Sequence, residues 1–442
     1  MPRQMNHPIL TLLILPLLGK TLFAQEKGKQ LDGLVIQKSL QSISTAIQEK
    51  YVYPDKALLI TNFLTSQYKL GKYSQLTSLK DLADNLTEDI HSIHHDKHLR
   101  IEYDIKLEQD IIRFNNSQEG KKEITELDIS NEKSQNFFFR KLEILPSNIG
   151  YIEFTNFALP SEEAQKTIRS AMQFLSHTDA LIIDLRNNRG GSGKSNNLLG
   201  YFFKEKTKTG RNFNRLTNTW TENFIAPADF FLDIPVYVLT SKRTFSAAEG
   251  FAYILQNQHN AVVVGESTSG GAHLTRSFSL GNGLVGFIPY LRSENEKTHT
   301  DWEGTGVIPE VRTEAKNALL FAHNKLLENK LKNANANEKS KIQWLINYNQ
   351  SKTATIVLDS AKLARFTGRF AEFEITKQGT NLYFRDVNQS NKTPFQMTPI
   401  SLTLFQVGED YQVEFMNESG GQFQSINLSW SDGWAEKIDK KQ

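Results

Sequence analysis

The sequence contains no cysteine. That absence excludes a disulfide framework, a thiol nucleophile or thiolate metal site, and lipid attachment through an N-terminal cysteine. Stability must come from packing. Charge of one sign is also missing: 51 basic residues face 49 acidic ones, giving a formal +2 with no long single-sign block, so nucleic acid is not an expected partner. Long hydrophobic runs are scarce as well. The one extended run, Ile9 to Leu18, is too short to cross a hydrocarbon core of roughly 30 Å as a helix. It follows Arg3 and leads into small or apolar residues ending at Ala24, the pattern of a secretory signal cut after Ala24. Residues 1–24 are therefore read as an export signal. The mature chain is expected to be periplasmic or extracellular, with no membrane span after cleavage. No internal repeat is present.

With 442 residues the chain has length for two or three domains and a catalytic cleft. Apolar residues recur at helical spacing in VIQKSLQSISTAIQEKYV and ALLITNFLTSQYKLGKY, with Pro54 as punctuation, which predicts a helical N-terminal region over 25–98. A polar connection with short strand-like pieces, LRIEYDI and FFFRKLEIL, is expected up to Asn148. Beyond it, strand and helix patterns alternate: IGYIEFTNF, SEEAQKTIRSAMQFL, ALIIDLR, IPVYVLT, AAEGFAYILQN and AVVVGE. Such alternation predicts an α/β core within 99–330. Short alternating strands from 353 to 442 predict a small antiparallel β domain, barrel-like, behind a Lys/Asn-rich linker near Asn333.

Three places hold chemistry. In VYVLTSKRTFSAAEGFAYILQ a buried strand turns into a helix with Ser246 at its start, the place of an exposed nucleophile and equally of an ordinary helix cap. LIIDLRNNRGGSG empties a strand into Gly190 and Gly191, whose freedom lets backbone N–H groups approach a ligand, as an oxyanion hole requires. HSIHHDKHLR gathers His91, His94, His95 and His98. Its spacings put imidazoles on one helix face, as in zinc hydrolases, but no glutamate stands between them in HExxH fashion, and Asp96 and Lys97 are expected to interrupt the helix before His98. Glu249 is a catalytic acid or a first-turn carboxylate complementing the helix dipole, and the structural role is the favoured one. Lys242 and Arg243 sit close in sequence as an alternative base or a carboxylate anchor.

The ordered set DLRNNRGG, TSKRTFSAAE, VVVGESTSGGA and WEGTGVIPEV, over about Leu31 to Val311, resembles the C-terminal processing (tail-specific) serine protease superfamily. HDKHL and WEGTGV point to its tricorn and interphotoreceptor retinoid-binding-protein-like branch. The resemblance implies a crotonase-like α/β core and a serine-type peptidase acting on peptides or proteins without cofactor or metal. In the processing branch the base is a lysine in a TxGKG turn; here that turn reads TSGGA, with Gly271 at the lysine's place. Tricorn-like members instead use a histidine after the N-terminal helices and a glutamate ahead of a GVxPD element, which match His98 and Glu303. A histidine near its ordinary value of about 6.5 can take the serine proton at neutral pH. The resemblance thus implies Ser246 as nucleophile, His98 as base and Glu303 in support. Gly190, Gly191 and the Ala247 N–H form the oxyanion hole, with Glu249 and Lys242 as further supporting candidates. Retinoid-binding relatives imply the alternative, a non-proteolytic module for apolar ligands. About fifty residues between His98 and Ile149 leave too little chain for an inserted PDZ domain.

Overall fold

The computed structural model describes residues 30–389 and 393–441; the export signal expected at 1–24 lies outside the described residues. Helix α1 (Gly33–Lys50) starts where the Asp32 carboxylate accepts the Leu34 N–H, and it buries Ile36, Leu40, Ile43 and Ile47 along one face. Helix α2 (Pro54–Lys69) opens on a proline, and α3 (Leu79–Ile93) is capped by Ser78. The last turn of α3 carries His91 and its C-cap is His94, so His95 and His98 lie beyond it. Strand β1 (Arg100–Tyr103) follows directly.

The expected polar connection is a pair of helices instead, α4 (Ile105–Asn116) and α5 (Gln118–Ser134). Both begin at side-chain caps, Asp104 to the Leu107 N–H and Ser117 to the Gly120 N–H, and both are largely exposed. Neither buries much apolar surface, and the polar make-up of α5 leaves it little apolar periodicity.

Strands β2 (Phe139–Leu145), β3 (Ile149–Phe154) and, after helix α6 (Glu162–Phe174), β4 (Ala180–Asp184) enter the main sheet. The hairpin β5 (Thr207–Asn214) and β6 (Thr219–Ile225) belongs to a second sheet. The chain then returns to the first through β7 (Val236–Thr240), helix α7 (Ala247–Gln258) and β8 (Val262–Gly265). Another hairpin, β9 (Leu274–Gly281) and β10 (Leu284–Asn295), joins the second sheet, and β11 (Val311–Arg312) completes the first. The main sheet runs β11-β8-β7-β4-β3-β2, parallel except for its β2 edge. Every residue of β4 and β7 is buried, as expected of strands covered on both faces.

The second sheet runs β1-β10-β5-β6 with β9 also on β10, and it shares a core with the N-terminal helices: Leu280, Leu284 and Ile288 cluster with Ile43, Ile47 and Leu86. That packing places the α3–β1 loop over the start of α7. Helices α8 (Ala318–Leu331) and α9 (Ala336–Ser351) lead to eight antiparallel strands in meander order, β12 (Gly368–Phe370) through β19 (Ala435–Asp439). A bridge between Phe370 and Lys440 closes these strands in barrel fashion.

Candidate active site

Strand β7 ends in a turn tied to the strand beside it: the Thr244 hydroxyl donates to the Leu185 carbonyl and the Ser241 hydroxyl to the Arg186 carbonyl. The turn delivers Ser246 to the N-terminus of α7 at φ 56°, ψ −120°. Such a conformation costs a non-glycine residue roughly 1–3 kcal/mol and persists where surrounding structure enforces it. Here the enforcer is Glu249. Its buried carboxylate accepts the N–H groups of Ser246 (2.8 Å), Gly270 (2.6 Å) and Gly271 (2.9 Å) and the Thr268 hydroxyl. Burial pushes the Glu249 carboxyl upward, and those donors pull it back. Glu249 therefore staples the serine turn to the loop that follows β8, a larger part than complementing the helix dipole.

The Ser246 hydroxyl lies 3.1 Å from His98 Nε2, although 148 residues separate them in sequence. The imidazole stacks on Phe245, ring centroids 4.5 Å apart, and is buried. Burial above all, with the nearby positive charges of His273 and Arg100, lowers its pKa to about 4 against the opposing pull of Asp96. His98 is thus neutral across the neutral range, well below the ordinary value used in reading the sequence. Accepting from the serine requires the proton on Nδ1, and that atom is buried without a hydrogen-bond partner among the described residues.

Gly190 and Gly191 have φ of 105° and 115°, and both are packed too closely for a side chain. A Cβ on Gly190 would come 2.8 Å from Ser246 Cβ, and one on Gly191 would come 2.3 Å from the Phe157 carbonyl oxygen. The Gly190 N–H is taken by Asn188 Oδ1 (2.9 Å), so its contribution is close approach rather than donation. The N–H groups of Gly191 and Ala247 make no hydrogen bond among the described residues.

Glu303 is bonded to neither Ser246 nor His98. It accepts the Ala272 N–H at 2.6 Å and lies 3.4 Å from His273 Nδ1. Burial raises its pKa to about 7; the charges of Asp96 and Asp301 add to that rise, while His273 and the Ala272 N–H oppose it. Lys242 is exposed, and its backbone, not its ammonium, engages Glu266 and Ser269.

The four histidines of the opening cluster diverge. His91 Nε2 meets the Leu99 carbonyl at 2.9 Å, His95 packs edge-on to His91, His94 packs against Tyr51 and Tyr53, and His98 reaches the serine. Asp96, His273 and Glu303 instead bring one donor atom each within 4.8 Å of one another. Those atoms are already engaged: Asp96 Oδ2 is 2.9 Å from His273 Nδ1 and accepts the Tyr51 hydroxyl at 2.9 Å, and Glu303 Oε2 holds Ala272. They form a hydrogen-bonded acid–imidazole network. The sequence marked Asp96 only as a helix breaker ahead of His98, and nothing in it pointed to His273 or Phe245.

Residues 148–313, which carry the serine, the glycine turn and Glu303, match peptidase family S41. The core of this chain is a peptidase family S41 domain. Residues 34–138, which carry His98, match the N-terminal domain of peptidase S41 in eukaryotic IRBP. The chloroplastic carboxyl-terminal-processing peptidase 2 of Arabidopsis thaliana is 31% identical over 169 residues, covering 37% of this chain and 31% of the relative. The carboxyl-terminal-processing protease of Synechocystis is 29% identical over 165 residues, 37% of each chain. The chain thus spans about a third of the length of these curated relatives. A lipoprotein from Streptococcus agalactiae aligns with a TM-score of 0.46 at 14% identity, over 66% of this chain and 96% of that one. The tricorn protease aligns at 0.42 and 12% identity, over 72% of this chain and 37% of that one. Among the described residues, no helix of this chain is long and apolar enough to cross a membrane.

Proposed function

We propose that the chain is an exported serine-type peptidase. Ser246 Oγ attacks the carbonyl carbon of a peptide bond while His98 Nε2 takes the hydroxyl proton. The N–H groups of Gly191 and Ala247 receive the developing oxyanion at the positive end of α7. His98 then returns its proton to the departing amine, and water, activated by the same imidazole, releases the acyl group from the serine. Glu303 acts from behind, through the Ala272–His273 loop. The observation that carries the reading is the 3.1 Å approach of Ser246 to His98, with the serine held at positive φ. The matches to carboxyl-terminal-processing proteases support peptides or proteins as substrates.

The test is covalent labelling by a fluorophosphonate, read by intact mass. The wild type is expected to gain one adduct, Ser246→Ala none, and His98→Ala to react slower by roughly 10²–10⁴-fold. Neutral His98 is the base, so labelling should rise with pH through about 4 and be flat near neutrality. An adduct on Ser246→Ala, or a midpoint near the unperturbed histidine value of about 6.5, would count against the assignment.

A further inference from the structure

His98 and Ser246 come from different parts of the molecule: the histidine from the loop between α3 and β1, the serine from the junction of β7 and α7. Their meeting at 3.1 Å has to be held by something, and His98 Nδ1 has no hydrogen-bond partner among the described residues to fix the ring. We propose that the buried Asp96–His273 pair is the joint that sets the base on the nucleophile, making Asp96 and His273 positioning residues for the reaction at Ser246. The inference rests on the reading of Ser246 and His98 as nucleophile and base.

The contacts close a circuit. Asp96 Oδ1 accepts the His98 backbone N–H at 2.9 Å, fixing the residue from which the imidazole hangs. Asp96 Oδ2 accepts the Tyr51 hydroxyl from the end of α1 and meets His273 Nδ1 at 2.9 Å. Both side chains of the pair have zero exposure. His273 belongs to the core loop whose Gly270 and Gly271 N–H groups bind Glu249, and Glu249 binds the Ser246 N–H. The path from His98 through Asp96, His273, the Gly270–Gly271 turn and Glu249 therefore returns to Ser246. Among the links of this circuit, Asp96 to His273 is the one that crosses from the helical region to the sheet core. Glu303, on the Ala272 N–H and beside His273, braces the same loop, and the Tyr53 hydroxyl lies 3.2 Å from His273 Nε2.

The charges agree with an ion pair. Burial disfavours both charges, but for Asp96 the His273 bond and charge win and its pKa falls; for His273 the Asp96 bond and charge, with Glu303 and Asp301, win and its pKa rises. The titratable groups facing the pair are Glu303, Asp301, Tyr51, Tyr53, His94 and His98, with Arg292 beyond Tyr53. Asp96 raises the basicity of His98 and His273 lowers it, so the joint sets charge as well as position.

The test measures fluorophosphonate labelling against pH, together with melting temperature, on the full chain. The variants are Asp96→Ala, Asp96→Asn, His273→Ala and His273→Gln, beside Asp89→Asn. Asp89 is the control, another buried aspartate bonded to Tyr73 and Lys72 but outside the circuit. The alanine variants are expected to label more slowly by on the order of 10²-fold, the cost of a misplaced catalytic group. The asparagine variant, which keeps an acceptor for the His98 N–H, should recover part of that loss. His273→Gln should move the rising limb to higher pH, because a positive charge near His98 is gone while Asp96 remains. Asp89→Asn should lower the melting temperature and leave labelling alone. Wild-type rates in both alanine variants would overturn the proposal. So would a loss that merely follows melting temperature as in the control, or inhibition by a chelator reversed by zinc, which would give the cluster to a metal. A wild type that takes no probe removes the underlying nucleophile assignment and this inference with it, a result distinct from labelled wild type and unaffected variants.

Discussion

Two aromatic rings lie where a side chain of residue 271 would go. A Cβ on Gly271 would stand 2.2 Å from Phe245 Cε2 and 2.8 Å from His98 Cε1, in a backbone conformation that is otherwise ordinary. The turn that carries a lysine in the processing branch here has its side-chain space filled by the histidine and the ring it stacks on. Gly271→Ala is therefore expected to displace the imidazole from Ser246 and slow fluorophosphonate labelling on the order of 10²-fold, since ring tips can swing aside at modest cost while catalytic geometry cannot. Unchanged labelling in that variant would mean the rings have room that the packing does not indicate. At this scale the serine, the glycines and His98 were legible from the order of short motifs. Glu303's actual contact was not, nor was the Asp96–His273 pair. Those depend on how the 268–273 loop folds back on the α3–β1 loop, and no local spacing encodes a contact across 177 residues.

Helix α7 shows how one element can be read correctly and still be underestimated. Its pattern and its start at Ala247 follow from the sequence, and Glu249 at the third position is a familiar cap. What tertiary structure adds is that the same carboxylate, with zero exposure, receives donors from Thr268, Gly270 and Gly271 as well as Ser246. Glu249→Gln places an amide NH2 against at least two of those donors. A loss of about 2–4 kcal/mol in stability is expected, read from denaturant unfolding, together with slower labelling because the serine turn loosens. A stability change confined to a few tenths of a kcal/mol would show that the turn holds its own shape. Elements that bury continuous apolar runs, such as β4 and β7, were legible, whereas α4 and α5 were not, because both bury little apolar surface and α5 is polar on nearly every side. The Lys/Asn-rich stretch near Asn333, read as the linker to the β domain, is instead the break between α8 and α9, where Asn335 and Glu338 cap each other across the start of α9.

The whole molecule has two ends that depend on the site differently. The N-terminal helices supply His98, so they cannot be removed without removing the proposed base. The C-terminal strands supply none of the contacts described at Ser246, and they enclose a core of their own built on Phe366, Phe370, Phe384, Phe405, Phe415 and Phe423. Helix α9 mediates between the halves. Ile342 and Ile346 pack with the main-sheet residues Ile149, Ile182 and Leu239. On its other side the Trp344 carbonyl accepts from Gln412 Nε2 at 2.8 Å, and Asn347 donates to Gln412 Oε1 at 2.9 Å. A chain ending at Thr353 should therefore keep the face of α9 that stabilises the sheet core while exposing Trp344. Expected outcomes are a cooperative melt at a lower temperature, red-shifted tryptophan emission, and Ser246 labelling within about threefold of the full chain, as for sites that share no contacts. If the shortened chain melts cooperatively but takes up no probe, the β domain orders the active site at a distance, and the separation of cores would then not be a separation of roles.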